Sequence, residues 1–243
     1  MTLANAWHAG DGTGPGRSRP KLITFDLDDT LWDIEAVVAR AERRLHAWFA
    51  AHHPAVAARY SATDLRRLRD EAPQLHPALA EDMTALRKSS LTRALESVGY
   101  DPAHAAAAFA EFWRHRHDVE FFPDAVPALD ALRPRHRLAA ITNGNADIAL
   151  IGLDEHFDFA LVAAEFGRAK PDAAIFHEAC RRAGVAPAEA LHVGDDPALD
   201  VLGAKRAGLG AAWINRTGRL WPHPELVPDL ECTDLAALVA ALA

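Results

Sequence analysis

In the second half of the chain, short apolar segments alternate with helical segments of about ten residues, and this alternation leaves few folds open. The predicted strands lie near 136–142, 158–163, 190–193 and 211–214, and the predicted helices near 124–133, 146–152, 172–183, 197–207 and 233–242. Strands that alternate with helices in this way build a parallel sheet from βαβ units. The sequence therefore predicts an α/β domain with helices on its sheet.

One further apolar run, Leu22–Phe25, ends in a group of carboxylates and is expected to join the same sheet. Between this run and the α/β half, apolar residues follow a helical period with no strand signal, which is typical of a helical bundle. We therefore predict a flexible Gly- and Pro-rich tail over 1–20, a core domain over 21–33 and 118–243, and an inserted helical domain over 34–117.

Charge and composition restrict the classes of partner. The chain has 243 residues with 26 basic and 34 acidic side chains, a formal net charge of −8, so we expect no nucleic-acid or membrane-surface partner. The sequence contains no run of about 20 apolar residues, and its first residues lack a basic start followed by an apolar stretch, so we expect neither a transmembrane helix nor a secretion signal. Two cysteines, Cys180 and Cys232, have no disulfide-framework spacing, which favours a cytoplasmic protein. We expect a monomer or weak homodimer.

The first chemical motif is Asp26-x-Asp28-x-Thr30, directly after the first strand. Residues two apart in an extended chain project to the same side, so both carboxylates can meet one substrate. One carboxylate can act as a nucleophile while the other moves protons. A turn or helix-cap cluster is the alternative interpretation, and Asp29, which points the other way, is predicted to be a turn residue.

Two further motifs could hold a phosphoryl group. Thr142 and Asn143 follow a predicted strand and offer a hydroxyl and backbone N–H groups, although alone the segment is typical of an Asn-Gly turn. Lys170, before Pro171, offers a compact cation that can lie between a carboxylate and a phosphoryl oxygen. In isolation, a solvated loop lysine is the better interpretation.

The last motif, Gly194-Asp195-Asp196-x-x-x-Asp200, also follows a predicted strand. Mg²⁺ takes one or two carboxylates together with water and substrate oxygens, and this acidic strand end offers such ligands. Asp195 or Asp196 could instead cap the helix that follows Pro197. All four motifs lie past the carboxyl ends of predicted parallel strands, where ligands bind in open α/β sheets.

In this order, the segments FDLDDT, ITNGN, KP and VGDDPALD resemble the four motifs of the haloacid dehalogenase (HAD) superfamily of phosphohydrolases. The resemblance implies an α/β fold with a Rossmann-like parallel-sheet core and an inserted helical cap of the C1 type. The segments LITFDLDDTLWD, LAAITNGNADI, FGRAKPDAAIF and LHVGDDPALDVLGAKRAG are most similar to the bacterial flavin mononucleotide (FMN) phosphatase branch. Members of that branch also dephosphorylate 5-amino-6-(5-phospho-D-ribitylamino)uracil.

The resemblance implies a role for each motif in phosphomonoester hydrolysis. Asp26 would be the nucleophile and Asp28 the general acid and then the base. Thr142 and the Asn143 backbone would bind the phosphoryl group, and Lys170 would hold it beside Asp26. The cap would close over the site and select the leaving group.

The same resemblance implies Mg²⁺ as cofactor, held by Asp26, the backbone carbonyl of Asp28 and Asp195. Asp200 would orient the motif lysine. Members vary in which acid after the glycine reaches the metal, so Asp196 stays an alternative. Asp195 is preferred because its spacing leaves Asp200 in place.

Several functional alternatives remain at this point. The substrate could be another small phosphate monoester, such as a sugar phosphate or nucleotide. A carbon–halogen hydrolase would lack the second acid, so Asp28 argues against one, and a phosphomutase is not excluded. A non-catalytic binding module would need a broken motif, and all four are intact. Trp32 and Asp33 follow the first motif and are hypothesised to contact substrate.

Overall fold

The computed structural model describes residues 19–79 and 82–243, so most of the predicted tail over 1–20 lies outside the described residues. The strands are β1 (Leu22–Phe25), β2 (Arg137–Thr142), β3 (Phe159–Val162), β4 (Ala190–Gly194), β5 (Gly210–Ile214) and β6 (Leu230–Cys232). The helices are α1 (Ile34–His52), α2 (Pro54–Arg59), α3 (Ala62–Leu75), α4 (Met83–Glu96), α5 (Ala105–Arg116), α6 (Ala125–Leu132), α7 (Ala163–Phe166), α8 (Ala173–Ala183), α9 (Gly203–Arg206) and α10 (Leu235–Ala241). A π-helical segment, Pro197–Leu202, runs directly into α9.

The described strands form one sheet in the order β3-β2-β1-β4-β5-β6, and every pairing is parallel. β1 lies inside the sheet, with Phe25 in register with Ala140 of β2 and Val193 of β4. All four residues of β1 are buried, which explains why three of them, Leu22, Ile23 and Phe25, are apolar. The parallel sheet with helices confirms the predicted fold class, and it brings the carboxyl ends of β1, β2 and β4 to one edge.

By Cα proximity the chain forms two compact units. One comprises the described residues up to Asp33 together with Phe121–Gly144 and Ile148–Ala243, and contains the sheet. The other comprises Ile34–Glu120 and Asn145–Asp147, and contains α1 to α5.

The helical unit has its own apolar core, built from residues at helical spacing. Its buried side chains are Ala41, Leu45, Phe49, Val56, Leu65, Leu68, Leu91, Ala94, Leu95, Ala105, Ala108 and Phe112. A capping box at Ser61 starts α3, where Asp64 N donates to the Ser61 hydroxyl at 3.1 Å. Among the described helices, none is both long and apolar enough to cross a membrane.

The structure overturns the helix predicted near 146–152. That segment forms a series of turns, and Leu153 N donates to Ile148 O at 2.8 Å, a spacing that an α-helix does not use. Gly152 has a φ of 76°, in the left-handed region that ends a helix, so too few residues remain to offset helix nucleation. The three-residue strand β6 and the short helix α2 are additions that the sequence pattern did not indicate.

Candidate active site

The centre of the site is a buried ammonium between two carboxylates. Lys170 Nζ lies 2.6 Å from Asp26 Oδ1 and 2.7 Å from Asp200 Oδ1. Asp26 directly follows β1, and its backbone N–H donates to Val193 O at 2.8 Å, which extends the ladder to β4 by one residue. The Lys170 side chain is only 2% exposed, so the solvated-loop interpretation of this lysine is wrong.

Asn143 holds the backbone of Lys170 in place. Its side-chain amide donates to Lys170 O at 2.8 Å, and its side-chain oxygen accepts from Lys170 N at 2.8 Å. Thr142, at the end of β2, is buried, and its hydroxyl accepts from Gly144 N at 2.9 Å. The second motif therefore forms a hydrogen-bonded turn and also positions the lysine of the third.

The two carboxylates that contact Lys170 differ in their surroundings. Asp200 accepts from Lys170 and from His192 Nε2 at 3.2 Å on Oδ1, and from Asp196 N at 2.9 Å on Oδ2. Burial by itself would raise the pKa of Asp200. The charge of Lys170 and these hydrogen bonds outweigh that effect and hold the pKa below its usual range. Burial raises the pKa of Asp26, with Lys170 as the main opposing influence. The two carboxylates in turn raise the pKa of Lys170 despite its burial, so the lysine stays charged.

The acidic strand end is suited to a divalent cation. Asp26, Asp195 and Asp200 each offer one carboxylate oxygen, and these atoms lie within 4.8 Å of one another. Burial and the neighbouring charge of Asp200 raise the pKa of Asp195 to about 7. Clustered carboxylate oxygens in excess of the single ammonium are the donor set that Mg²⁺ prefers, so these residues fit the expected cofactor.

Asp196 has a different function from its neighbour. Its Oδ1 accepts from Ala198 N at 2.7 Å and from Leu199 N at 2.8 Å, so the side chain caps the helical segment that begins at Pro197. This observation favours Asp195 over Asp196 as a metal ligand.

Close packing explains the glycine of this motif. A Cβ atom on Gly194 would lie 2.3 Å from Asp200 Cγ, which is far inside van der Waals contact. Only glycine at this position lets the Asp200 carboxylate lie against the end of β4.

The residues after the first motif follow the prediction in part. Asp29 is in a turn with a φ of 61°, as predicted. Trp32 is fully buried, and its indole N–H donates to Asp28 Oδ1 at 3.0 Å. Trp32 is therefore placed to orient Asp28, and its burial argues against the hypothesised contact with substrate. Asp33 is exposed.

A cavity of about 480 Å³ opens beside Asp195. Its lining residues are Asp29, Asp33, Phe122, Asp195, Ile214, Arg216, Thr217 and Arg219. The backbone carbonyl of Asp195 accepts from Trp213 Nε1 at 2.8 Å and from Arg219 at 3.0 Å. Two donors from the region of β5 therefore hold the backbone of the acidic motif in place.

Sequence reasoning missed Trp213 and Arg219, and it also missed His192 and Thr24. His192 and Thr24 had a usable signal, since each is a polar residue within an otherwise apolar strand. Trp213 and Arg219 had no such signal in the sequence, because they lie 18 and 24 residues along the chain from Asp195, which they contact.

Comparison with known proteins identifies the family. The family model of haloacid dehalogenase-like hydrolases matches residues 20–208. The chain is 37% identical to YigB of Escherichia coli, a 5-amino-6-(5-phospho-D-ribitylamino)uracil phosphatase, over 92% of this chain and 97% of the relative. It is 35% identical to a phosphoserine phosphatase of Thermus thermophilus, over 91% of this chain and 98% of that protein.

A solved structure described as a 2-haloacid dehalogenase from Pseudomonas syringae is similar with a TM-score of 0.84. The two chains are 40% identical, over 92% of this chain and 98% of the other. The family model covers most of the chain and includes all four motifs. The parallel sheet and the carboxylates at its edge are consistent with that family. The chain belongs to the haloacid dehalogenase-like hydrolase family.

Proposed function

We propose that this protein is a Mg²⁺-dependent phosphatase that hydrolyses small phosphate monoesters through an aspartyl-phosphate on Asp26. The observation that carries the proposal is the ammonium of Lys170, 2.6 Å from the Asp26 carboxylate at the end of β1. A phosphate dianion that approaches a carboxylate is repelled, and a fixed positive charge at that point offsets the repulsion.

Asp26 attacks phosphorus, and the bond from phosphorus to the leaving-group oxygen breaks. Asp28 gives its proton to that oxygen, so the alcohol leaves neutral. Asp28 then takes a proton from water, whose oxygen attacks the aspartyl-phosphate, and inorganic phosphate and a free Asp26 carboxylate result. Thr142 and the Asn143 backbone bind the phosphoryl oxygens while Lys170 balances their charge.

The carboxylates of Asp26 and Asp195 and the backbone carbonyl of Asp28 would hold Mg²⁺. When bound, the ion supplies positive charge that draws the phosphate to Asp26 and stabilises the transition state. Asp200 already accepts three hydrogen bonds, which supports a role in orienting Lys170 instead of binding metal. Asp196 acts as the helix cap.

For the substrate, we propose FMN or a riboflavin-pathway phosphate. The motif segments resemble the FMN phosphatase branch, and the similarity to the E. coli phosphatase supports that assignment. The similarity to a phosphoserine phosphatase keeps a different small monoester, including sugar phosphates and nucleotides, as the alternative. Placement in the cytoplasm, a monomeric or weakly dimeric state and the lack of nucleic-acid or membrane partners stay predictions from composition.

One similar structure is described as a dehalogenase, so halide release is a second candidate. A halide leaves without protonation, whereas an alcohol needs an acid. The presence of Asp28, whose carboxylate is held by Trp32 at 3.0 Å, favours the phosphatase.

The test is phosphate release with Mg²⁺ from FMN, 5-amino-6-(5-phospho-D-ribitylamino)uracil, phosphoserine, sugar phosphates and nucleotides. A parallel arm measures halide release from a 2-haloacid, and Asp26→Asn is the control. We expect phosphate release from the wild type, highest for a flavin-pathway substrate, and none from the variant. Preference for another monoester would overturn the flavin assignment alone. Halide release without phosphate release would overturn the phosphatase, and no release of either from folded protein would favour a mutase or a binding module.

A further inference from the structure

Beneath the site, two polar side chains face each other inside the sheet. Thr24 of β1 is in register with His192 of β4, and both are 0% exposed. Thr24 Oγ1 lies 2.8 Å from His192 Nδ1, and His192 Nε2 lies 3.2 Å from Asp200 Oδ1. Phe176 packs edge-on against the imidazole at a centroid distance of 5.0 Å. Burying two polar groups in an apolar sheet costs free energy unless they are hydrogen-bonded. Here both groups belong to a chain of hydrogen bonds that ends at Asp200.

The partners determine where the imidazole carries its proton. Burial lowers the pKa of His192, so the ring is neutral and has one N–H. An ionised carboxylate can only accept, so the proton is on Nε2 and is donated to Asp200. Nδ1 then accepts from the Thr24 hydroxyl. A hydroxyl can either donate or accept, so Asp200 determines the tautomer, and the Thr24 hydroxyl stabilises it by donating to Nδ1.

The hydrogen bond from His192 matters because Asp200 aims the catalytic lysine. Asp200 Oδ1 receives both the imidazole N–H and the ammonium of Lys170. Without the imidazole, that oxygen would have Lys170 as its only side-chain donor and would draw the ammonium away from Asp26. A neutral donor satisfies Asp200 without adding a second positive charge that would compete with the lysine.

We infer that His192 is a positioning residue for phosphoryl transfer that keeps Asp200 oriented and Lys170 directed at Asp26. Asp200 holds it in its Nε2–H tautomer, and Thr24 supports that tautomer. This inference rests on the proposed phosphatase function.

The test compares His192→Phe with His192→Gln in the full chain with Mg²⁺ and 4-nitrophenyl phosphate. Phenylalanine keeps the ring shape and removes the donor, so we expect kcat to fall about 10- to 100-fold, with a much smaller change in KM. Glutamine can place an amide N–H near the position of Nε2, so it should recover most of the loss. Thr24→Val, which removes the donor to Nδ1, should lower kcat in the same direction by a smaller factor.

A matched control is His136, another buried histidine, which lies before β2 and whose Nδ1 is 2.6 Å from Pro20 O. His136→Phe should leave kcat unchanged even where it alters the melting temperature. In wild-type protein, nitrogen-15 NMR should show a neutral His192 protonated at Nε2.

Wild-type kcat in folded His192→Phe, equal losses in the Phe and Gln variants, or an Nδ1–H tautomer would each overturn the inference while the proposed function stands. If the wild type releases no phosphate from any substrate in the panel, the proposed function fails, and the inference fails with it. If the His192→Phe variant does not fold, the His192→Gln and Thr24→Val variants and the tautomer measurement still test the inference.

Discussion

Asp195 and Asp200 belong to one short motif, yet their surroundings shift their pKa values in opposite directions. Asp200 is surrounded by donors, and the charge of Lys170 lowers its pKa against the effect of burial. Asp195 is half-buried, and its carboxylate lies 3.8 Å from the guanidinium of Arg219. Burial and the neighbouring carboxylates, Asp200 above all, outweigh that positive charge and raise the pKa of Asp195 to about 7. At the scale of single residues, partners that only the fold supplies determine the behaviour of each carboxylate.

The raised pKa of Asp195 predicts how stability depends on pH. Its usual value is 3.8, so between about pH 4 and pH 7 the folded state without metal binds a proton that the unfolded state has released. The contribution of Asp195 is therefore fully present below about pH 4 and is lost as pH rises towards 7. Asp195→Asn has no such group, so it should gain stability relative to wild type over this range, on the order of a few kcal/mol.

Chemical denaturation at several pH values, in the presence of a chelator, measures this difference. Mg²⁺ binds the ionised carboxylate, so adding it should stabilise wild type more at pH 8 than at pH 5 and should have little effect on Asp195→Asn. Parallel stability curves for the two proteins in chelator would contradict the prediction.

At the scale of elements, three neighbouring residues at the junction between β4 and the following helical segment have different structural roles. Gly194 makes room for Asp200, Asp195 faces the acid cluster, and Asp196 caps the helical segment. Each function depends on a different side-chain length or direction, so substitutions at these positions should have separable effects.

Asp196→Ala should lower stability and leave catalysis largely intact. The change removes the acceptor for Ala198 N and Leu199 N and should cost about 1 kcal/mol of unfolding free energy. Asp196→Ser, which can also cap a helix, should restore most of it. Thermal melts and phosphate release check both effects, and a loss of activity in the alanine variant comparable to that of Asp195→Ala would assign Asp196 to the metal instead.

Gly194→Ala should abolish most activity in folded protein. The added Cβ would overlap Asp200 Cγ at 2.3 Å, so the carboxylate must move and release Lys170. We expect kcat to fall at least about 100-fold, the scale of losing one oriented electrostatic group. Circular dichroism separates this effect from unfolding, and near-normal kcat would show that Asp200 can move without cost to Lys170.

At the scale of the whole sheet-containing unit, Asp124 ties together distant parts of the chain. Its carboxylate accepts from Arg216 at 3.1 and 2.9 Å and from Leu235 N at 2.6 Å, and Arg216 also donates to Thr30 O at 3.1 Å. Arg216 also lies over the ring of Phe122, 4.0 Å from its centroid. These contacts join the start of α6 to the segments after β1 and β5 and to the start of α10.

Asp124→Ala should lower the free energy of unfolding by about 2 to 4 kcal/mol, because it leaves a half-buried guanidinium without its carboxylate. Arg216→Ala should also destabilise, and the double variant should lose clearly less than the two single losses together. Denaturant unfolding of the four proteins measures the coupling. Additive losses would mean that the ion pair contributes little and that Asp124 acts mainly through Leu235.

The sequence alone determined the local pattern of this protein. Alternating apolar and helical segments specify a parallel sheet because side-chain periodicity depends on neighbours a few residues away. Acids placed directly after strands specify a reactive edge, since parallel strands end at the same side. The resemblance to the phosphohydrolase motifs adds an expected role for each residue, and the structure places one carboxylate oxygen each of Asp26, Asp195 and Asp200 within 4.8 Å of one another.

Tertiary structure alone decided the electrostatics. The contacts of Lys170 with Asp26 and Asp200 join positions 144 and 30 residues apart, and the bond between Thr24 and His192 joins positions 168 apart. Burial and charge–charge energies depend on distances through space, and no periodicity or spacing along the chain encodes them. For this reason the sequence predicted an acidic strand end, while only the fold distinguished an Asp195 in the carboxylate cluster, a helix-capping Asp196 and an Asp200 in contact with Lys170.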